Sequence, residues 1–311
     1  MLKTLWKGSA PLTATGLLMI AALLVALAGL TLDPRIITGA PAWLKPAKFA
    51  VSIAIYTFTL AWIFTLIPEW VRTRRTVGWM TAVAMIVEVV IIDLQAFRGT
   101  TSHFNVGTAV DGVLFGIMGL AIVVQTLSSI AVAVALWRHR FEDAALGWAL
   151  RLGMIITIVR SHDRRTHDPA YASAIGCRSR RRDDDSCRRA HRRRAGRRTG
   201  PARHRVEHGA WRSASAALSR PALALQALPL LALVLARRRL SDVVRVRFTL
   251  IAAVSYFGLF GILVWQALSG QSMLAPDTLT ITLFGVLVFA TAAAAATAVL
   301  RPQPARTPAL A

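Results

Sequence analysis

Polar side chains inside long apolar runs are the residues of this sequence that are best placed to do chemistry. Glu88 lies about midway along one apolar run, and Thr81, Glu88 and Gln95 recur at intervals of seven residues, which places them on one face of a helix. In the next run Asp111 and Gln125 share a face in the same way. Two polar stripes on consecutive helices predict a seam between them. The seam serves either as a path for a proton or small solute or as hydrogen bonding that joins the helices.

The cost of burying these groups makes each of them informative. A charged side chain at the centre of a membrane helix costs about 2.5 to 3.5 kcal/mol on insertion scales, so it requires a partner or a pathway. Arg151 enters a later apolar run from the same side as Glu88, and its long side chain can reach along the helix. We therefore expect a structural ion pair between Arg151 and Glu88.

The segment RGTTSHFN, which begins at Arg98 and ends at Asn105, follows the run that contains Glu88. It is a dense polar cluster that includes Ser102 and His103. Imidazole is a common ligand of Zn, Cu and Fe, so His103 is a candidate ligand of a transition metal or of haem iron. A single loop histidine more often serves only in hydrogen bonding. We therefore predict no cofactor, with a metal or haem at His103 as the alternative.

Motifs of the common enzyme classes are absent from the sequence. It contains no phosphate-binding glycine loop, no nucleophile elbow, no metalloprotease helix and no CxxC pair. The two cysteines, Cys177 and Cys187, are spaced unlike zinc ligands. The sequence therefore assigns no reaction, and it leaves open whether the protein is an enzyme.

The elements that carry these residues are membrane helices. The chain has 311 residues, 55% of them hydrophobic, and its mean hydropathy is +0.52, which places it with membrane proteins.

Between the first two apolar runs, Trp43, Lys45 and Lys48 combine an aromatic ring with cations, which predicts an anchor at the level of the lipid headgroups. The first run is longer than the core of a signal peptide, so we expect it to be retained. The runs predict an all-α, polytopic membrane bundle of about eight spans, at residues 12–32, 49–67, 77–97, 112–136, 144–159, 223–236, 248–268 and 279–300.

The fifth and sixth runs are too short to cross a bilayer. Leu146–Val159 and Leu223–Ala236 each contain 14 residues, or about 21 Å of helix, against a hydrocarbon core of about 30 Å. The other six runs have lengths that suit a span. The two short runs lie on either side of one unusual segment.

The distribution of Lys and Arg predicts the orientation in the membrane. Outside that segment and apart from Arg151, 14 of these residues flank the side of the N-terminus and 4 flank the other side. Cytoplasmic loops carry the excess of Lys and Arg, so both termini should be cytoplasmic. The lipid bilayer is then the principal partner. No nucleic-acid partner is predicted, although the formal net charge is +22.

The unusual segment, Arg160–Ala222, is here called the Arg-rich block. It holds 18 of the 37 Lys and Arg residues and five of the seven histidines. In the predicted topology it lies outside, where so many arginines close to two spans oppose the bias of every other loop. We expect a disordered loop, and its composition is typical of GC-rich DNA that is read in a wrong frame.

A one-base shift of the reading frame resolves the conflict. Arg160–Ala174 can be encoded so that the shifted frame reads GAMTGGLMTRPTPA, whose first eight residues lengthen the fifth span to about 22 residues. The part that includes Val206–Ala222 can be encoded to read GWSTEHGDLRVPHFLGLH, which completes the sixth span. We therefore interpret the block as frame-shifted. The alternative is a genuine Arg-rich arm that binds nucleic acid or anionic lipid.

Outside the Arg-rich block, the chain resembles a family of uncharacterised bacterial multi-pass membrane proteins. The motifs that carry the resemblance are WLKPAKFA at Trp43–Ala50, RGTTSHFN at Arg98–Asn105 and LQALPL at Leu225–Leu230. In the family, a run similar to HFLGLH precedes the last motif. The resemblance implies the bacterial inner membrane as the location and supports the topology, and it implies no particular reaction or ligand.

These observations predict a chain of four parts. Residues 1–159 form a membrane half with five spans, 160–222 the Arg-rich block, 223–300 a membrane half with three spans, and 301–311 a cytoplasmic tail. The sequence assigns no oligomeric state.

Three functions are compatible with the sequence. The first is transport of a proton or small solute along a polar path formed by Glu88, Gln95, Asp111, Gln125 and Arg151. The second is a metal- or haem-binding redox protein in which His103 is a ligand. The third is that the chain is the non-functional product of a frame-shifted gene.

The frame-shift interpretation predicts a lost or gained base near each end of the Arg-rich block. Sequencing of the source DNA across both junctions, together with mass spectrometry of tryptic peptides from the native host, measures this directly. We expect peptides from the shifted frame and none from the block. A clean DNA read in the present frame, accompanied by tryptic peptides from the block, contradicts the interpretation.

Overall fold

The described part of the chain consists almost entirely of α-helices. The computed structural model describes residues 2–37, 39–103, 105–166, 222–238, 240–269 and 276–300. These residues form nine helices and one hairpin of two short strands, so the prediction of an all-α fold is confirmed. In chain order the elements are α1 (Leu2–Gly8), α2 (Ala10–Leu32), β1 (Ile36–Ile37), β2 (Ala40–Pro41), α3 (Leu44–Thr65), α4 (Val71–Phe97), α5 (Ala109–Arg138), α6 (Ala144–Thr166), α7 (Ala222–Ala236), α8 (Asp242–Leu268) and α9 (Thr278–Leu300).

Local sequence signals explain how α2 is followed by α3. Pro11 and Pro46 stand in the first turns of α2 and α3, where the missing N–H costs nothing because first-turn N–H groups have no partner within the helix. The hairpin between them turns at Gly39, whose φ of 84° is a conformation that favours glycine. This tight reversal lets α3 run back beside α2, against which it packs.

Six of the helices in the described ranges are long and apolar enough to cross a membrane. They are α2, α3, α4, α5, α8 and α9, with 22 to 30 residues in the first four and apolar windows in all six. Ala144–Val159 and Ala224–Ala236 are shorter apolar helices. These two correspond to the runs that the sequence marks as too short for a span, and they are the apolar parts of α6 and α7.

Several helices begin or end outside the predicted spans, and local sequence explains two of these differences. α4 begins at Val71 rather than at residue 77, because the arginines before residue 77 are good helix formers and continue the helix. α6 continues past Val159 to Thr166, so the first residues of the Arg-rich block are helical rather than disordered. No glycine or proline occurs between Val159 and Thr166 to end the helix. The remainder of the block, up to Pro221, lies outside the described residues.

The chain divides into two compact units, which are described separately. The first unit contains α1 to α4, the hairpin and α5 as far as Ala135. Its core brings α2, α3 and α4 together through Met19, Ile53, Met85 and Val89. A glycine allows the close approach of α2 and α3, because a Cβ at Gly16 would lie 2.7 Å from the ring of Phe58.

The second unit contains Leu136–Thr157 and α7 to α9. Its core joins α6, α7 and α8 through a cluster of small and branched side chains: Ala149, Ile156, Ala224, Leu228, Ala232 and Ala253. Arg245 of α8 forms ion pairs with Asp143 and with Asp242, the latter at 3.1 Å. The side chains of Ser255 and Thr291 join α8 to α9 at 2.7 Å. Both units therefore combine apolar packing with a few buried polar contacts between helices.

Candidate functional site

The candidate site lies at one end of the first unit, where α2 and α4 finish and α3 and α5 begin. We call this the distal end. Arg35 connects the residue after α2 to the end of α4. Its Nη2 lies 2.6 Å from Asp33 Oδ2, and its Nη1 donates to the carbonyl oxygen of Phe97 at 2.9 Å. Trp43 Nε1 donates to Asp33 Oδ2 at 2.8 Å. These bonds fix Trp43 beside the start of α3 and thereby position Lys45.

The hydrogen bonds at Asp33 explain its ionisation. The side chain and the backbone N–H of Arg35 donate to the Asp33 carboxylate, and Trp43 adds a third donor, so the pKa of Asp33 is held well below its usual value. The same pairing raises the pKa of Arg35. Both groups therefore keep their charges over the physiological pH range.

Lys45 and His103 are in direct contact at the distal end. Lys45 Nζ lies 3.0 Å from His103 Nδ1, and Ser102 Oγ lies 3.1 Å from the same nitrogen. An ammonium group donates only, so Nδ1 must accept and the ring hydrogen belongs on Nε2. The ring of Phe49 packs against the imidazole with centroids 5.8 Å apart. Two motifs that are far apart in the sequence, WLKPAKFA and RGTTSHFN, thus meet through this hydrogen bond.

The surroundings of His103 keep its ring neutral. Burial and, to a smaller extent, the positive charge of Lys45 lower its pKa from 6.5 to about 3. A neutral ring keeps a lone pair on Nδ1, which is what the Lys45 ammonium requires. His103 is therefore an acceptor for a partly buried cation.

This arrangement does not fit a metal ion or haem iron at His103. A ligating histidine normally binds the metal with one ring nitrogen and donates the other N–H to an acceptor. Here Nδ1 receives hydrogen bonds from Lys45 and Ser102, and Nε2 carries the hydrogen. The described part of the chain also contains no group of three or more His, Cys, Asp or Glu side chains that could hold a metal.

Glu88 lies deeper along α4 and is the second charged group of the site. It is only 7% exposed. Thr81 and Gln95, which share its stripe, are also buried, at 0% and 1% exposure. The polar stripe of α4 therefore faces the interior of the unit, as the spacing of seven residues indicates.

Arg98, Gln95 and Asp111 form a hydrogen-bonded network that joins α4 to α5. Arg98 Nη1 lies 2.8 Å from Asp111 Oδ1 and 2.7 Å from Gln95 Oε1. Gln95 Nε2 donates to the same Asp111 oxygen at 3.0 Å, and Thr108 Oγ1 donates to the other at 2.8 Å. The Asp111 carboxylate is 4% exposed and accepts three side-chain hydrogen bonds. Its charge is thus satisfied by neighbouring groups.

Gln125 takes part in a separate contact further along α5. Its Nε2 donates to the hydroxyl of Tyr56 on α3 at 2.8 Å, and Ser129 Oγ lies 3.4 Å from that hydroxyl. Gln125 Oε1 is buried and has no hydrogen-bond partner among the residues that the structure describes. This contact joins α3 to α5 within the apolar part of the unit.

The two remaining predicted site residues lie apart from these contacts. Asn105 Oδ1 accepts from the backbone N–H of Gly107 at 3.1 Å, which is a local turn. Arg151 belongs to the second unit, where its guanidinium donates to the carbonyl oxygens of Leu136 and His139 at 3.1 and 2.8 Å. Its guanidinium carbon also lies 5.6 to 5.9 Å from the ring centroids of Trp137, Phe141 and Trp148. The ion pair of Arg151 with Glu88 stays a prediction.

Sequence reasoning missed the site contacts of Lys45 and Tyr56, and it did not single out Asp93, which forms none of the site contacts described above. Lys45 was predicted as a headgroup anchor, and nothing in the sequence pattern pointed to its hydrogen bond with His103. Tyr56 has no sequence signal that separates it from other aromatic residues in a span. Asp93 is a carboxylate within α4, and its buried Oδ1 has no hydrogen-bond partner in the described ranges; its charge in an apolar run is the signal that could have found it.

Comparisons with protein-family models, with curated proteins and with solved structures found no match for this chain. The class of protein therefore follows from the helices themselves, which are those of a membrane protein.

The lowered pKa of His103 predicts a loss of stability in acid. Between pH 6.5 and about 3 the unfolded chain binds a proton at this residue that the folded chain does not bind. The free energy of unfolding should therefore fall as the pH falls through this range. The midpoint temperature of unfolding in detergent is measured at several pH values. As the pH falls, this temperature should decrease less in His103→Gln, which keeps an acceptor for Lys45, than in the wild type.

A matched control for this prediction is Ser102→Ala. It removes one hydrogen bond to Nδ1 but leaves the burial of the ring and the charge of Lys45, so the wild-type acid dependence should persist. An unchanged acid dependence in His103→Gln contradicts the assignment of this loss to His103.

Proposed function

We propose that this protein is a multi-pass protein of the bacterial inner membrane that moves a proton or a small solute through the polar interior of its first unit. In this proposal the complete bundle has eight spans, and both termini are cytoplasmic. The bilayer is its main partner, and nucleic acid is not a partner. The distal end then faces the outside of the cytoplasmic membrane.

The observation that carries the proposal is the placement of Glu88. It is a carboxylate that is 7% exposed and lies in the middle of an apolar helix. A charge at mid-helix in lipid costs about 2.5 to 3.5 kcal/mol, so a buried carboxylate there requires a partner or a pathway. Intramembrane carboxylates of this kind commonly mark ion or proton pathways.

Polar groups continue on both sides of Glu88. Towards the distal end lie Gln95 and Asp111, which are bonded to each other at 3.0 Å. In the other direction along α5 lie Gln125 and its partner Tyr56. Buried polar atoms without protein partners, such as Gln125 Oε1, are the places where water or a passing solute completes the hydrogen bonding. Together they support a path rather than a single isolated contact.

The metal or haem alternative receives no support from the contacts of His103. Its ring nitrogens face donors or carry hydrogen in the arrangement described above. Transport is the function that uses the buried charges on both helices, so it is preferred.

The frame-shift alternative concerns this particular chain rather than the fold. Within the described residues, the helices that flank the Arg-rich block have apolar parts of Ala144–Val159 and Ala224–Ala236, both shorter than a span. An Arg-rich segment cannot supply the missing turns in lipid, because backbone and charged groups there must be satisfied internally. We infer that the in-frame gene product is the active form. The first unit, which carries the site, is common to both forms as far as Ala135.

Replacement of Glu88 by Gln tests the transport proposal. The in-frame protein is reconstituted in liposomes with an internal pH-sensitive dye, and a pH jump starts the measurement. We expect Glu88→Gln to reduce the rate to the leak of empty liposomes, because a glutamine cannot bind and release a proton. The matched control is Asp93→Asn, which neutralises another carboxylate of α4 and should retain the wild-type rate.

Two outcomes contradict the proposal. One is a wild-type rate in Glu88→Gln. The other is no flux of protons, of inorganic ions or of small amino or organic acids in the wild type. Flux of a solute other than a proton that is lost in Glu88→Gln supports the solute form of the proposal.

A further inference from the structure

Two fully buried threonines of the first unit bond to carbonyl oxygens about one turn earlier in the chain. Thr13 Oγ1 donates to one such oxygen at 2.8 Å, and Thr57 Oγ1 lies 2.9 and 3.1 Å from two of them. A buried hydroxyl needs a bond of this kind, because a polar group that is removed from water without a partner costs free energy. A buried hydroxyl that lacks this bond therefore calls for another partner.

Ser9 and Thr81 carry buried hydroxyls that lack this bond. Ser9 is 7% exposed and Thr81 is 0% exposed, and neither hydroxyl oxygen has a hydrogen-bond partner in the described ranges. A Cβ at Gly78 would lie 2.7 Å from Ser9 Oγ, so this hydroxyl lies directly against α4. Thr81 follows Gly78 by three residues, and residues three apart are neighbours on a helix surface. The two open hydroxyls thus belong to the same stretch of the contact between α2 and α4.

Arg74 adds a third polar atom without a partner at this place. Its Nη2 donates to the carbonyl oxygens of Lys7 and Gly8 at 3.0 and 2.9 Å, and these two residues directly precede Ser9. Arg74 Nε is buried and has no hydrogen-bond partner among the residues that the structure describes. Arg74 also precedes Thr81 by seven residues, which places both on one face of α4.

We propose that Ser9, Arg74 and Thr81 bind water between the start of α2 and α4, and that this site is a second entrance to the polar interior of the first unit. It lies at the end opposite the distal end, where α2 and α4 begin and α3 finishes. This inference rests on the proposed function, because it names the opening through which Glu88 communicates with that side. Ser9, Arg74 and Thr81 position the water.

Water is the ligand that suits these three groups. Arg74 Nε can only donate a hydrogen bond, whereas the hydroxyls of Ser9 and Thr81 can donate and accept, so one molecule that does both can satisfy them. Buried water typically makes about three hydrogen bonds to groups of this kind. A metal cation does not suit the site, because none of the three side chains is a carboxylate and one of them is itself a cation. The close approach of α2 to α4 at Gly78 also favours the smallest ligand.

The polar face of α4 connects this site to Glu88. The interval of seven residues from Arg74 to Thr81 is repeated from Thr81 to Glu88, and each interval corresponds to about 10 Å along the helix. A further interval leads to Gln95, which is bonded to Asp111 at the distal end. Thr81 is therefore the polar group between the water site and Glu88.

The sign of a stability change tests whether water is bound at Thr81. Thr81→Val keeps the shape of the side chain and removes the hydroxyl. At a dry site this change removes an unsatisfied polar group, so the midpoint temperature of unfolding in detergent would rise. We expect this temperature to fall, because the bound water loses a partner. The matched control is Thr57→Val, whose hydroxyl bonds to its own helix, and the fall for Thr81→Val should exceed that of the control.

Exchange of a thiol hydrogen with D₂O tests whether water reaches the site. Thr81→Cys and the control Thr57→Cys are made in the full-length chain with both native cysteines changed to serine. The infrared S–H stretching band, which shifts when deuterium replaces hydrogen, is followed after transfer to D₂O. We expect exchange several-fold faster in Thr81→Cys than in Thr57→Cys. Ser9→Cys gives the same measurement at the second hydroxyl if Thr81→Cys fails to fold.

Two results overturn the inference. One is a higher midpoint temperature in Thr81→Val than in the wild type, and the other is equal thiol exchange in Thr81→Cys and Thr57→Cys. Neither measurement depends on flux. The expected stability and exchange without any flux in liposomes supports the water site and refutes transport. Flux that is lost in Glu88→Gln, together with slow exchange in Thr81→Cys, supports transport and refutes this entrance.

Discussion

The hydrogen bond from Lys45 to His103 is the interaction on which the distal end of the first unit depends. It holds the partly buried ammonium of Lys45 at the start of α3, where the neutral imidazole of His103 accepts a hydrogen bond from it. The bond joins α3 to the loop after α4, so it also fixes the position of that loop. Loss of either partner leaves a buried polar group unsatisfied.

The other contacts at the distal end keep Lys45 and His103 in position relative to each other. Arg35 links Asp33 to the end of α4, and Trp43 closes the same cluster directly before α3. On the opposite side Arg98 and Gln95 bind Asp111 and fix the start of α5. Helices in lipid gain little from apolar packing against one another, so these polar contacts decide which helix ends meet. The candidate site is thus a consequence of how the helix ends are tied.

The sequence predicts the helices well because their hydropathy signal is strong. Long apolar runs bounded by basic residues correspond to α2 to α5, α8 and α9. The spacing of Thr81, Glu88 and Gln95 correctly predicts a buried stripe, since helical periodicity alone determines it. Periodicity does not reveal contacts between segments that are distant in sequence. For that reason the hydrogen bond between Lys45 and His103 was not foreseen, nor were the hydrogen bonds from Arg151 to the carbonyl oxygens of Leu136 and His139. The helical start of the Arg-rich block was missed because disorder was predicted from the composition of the block. The absence of a glycine or proline that would end the helix was given too little weight.

A double-mutant cycle measures the central claim, that the hydrogen bond between Lys45 and His103 joins α3 to the loop after α4. The free energies of unfolding in detergent are compared for the wild type, Lys45→Met, His103→Leu and the double variant. Each single change leaves one polar partner unsatisfied, whereas the double change removes both, so we predict a coupling energy of about 0.5 to 3 kcal/mol with the double variant less destabilised than the sum. Strictly additive effects would show that the two side chains do not interact and would contradict the account.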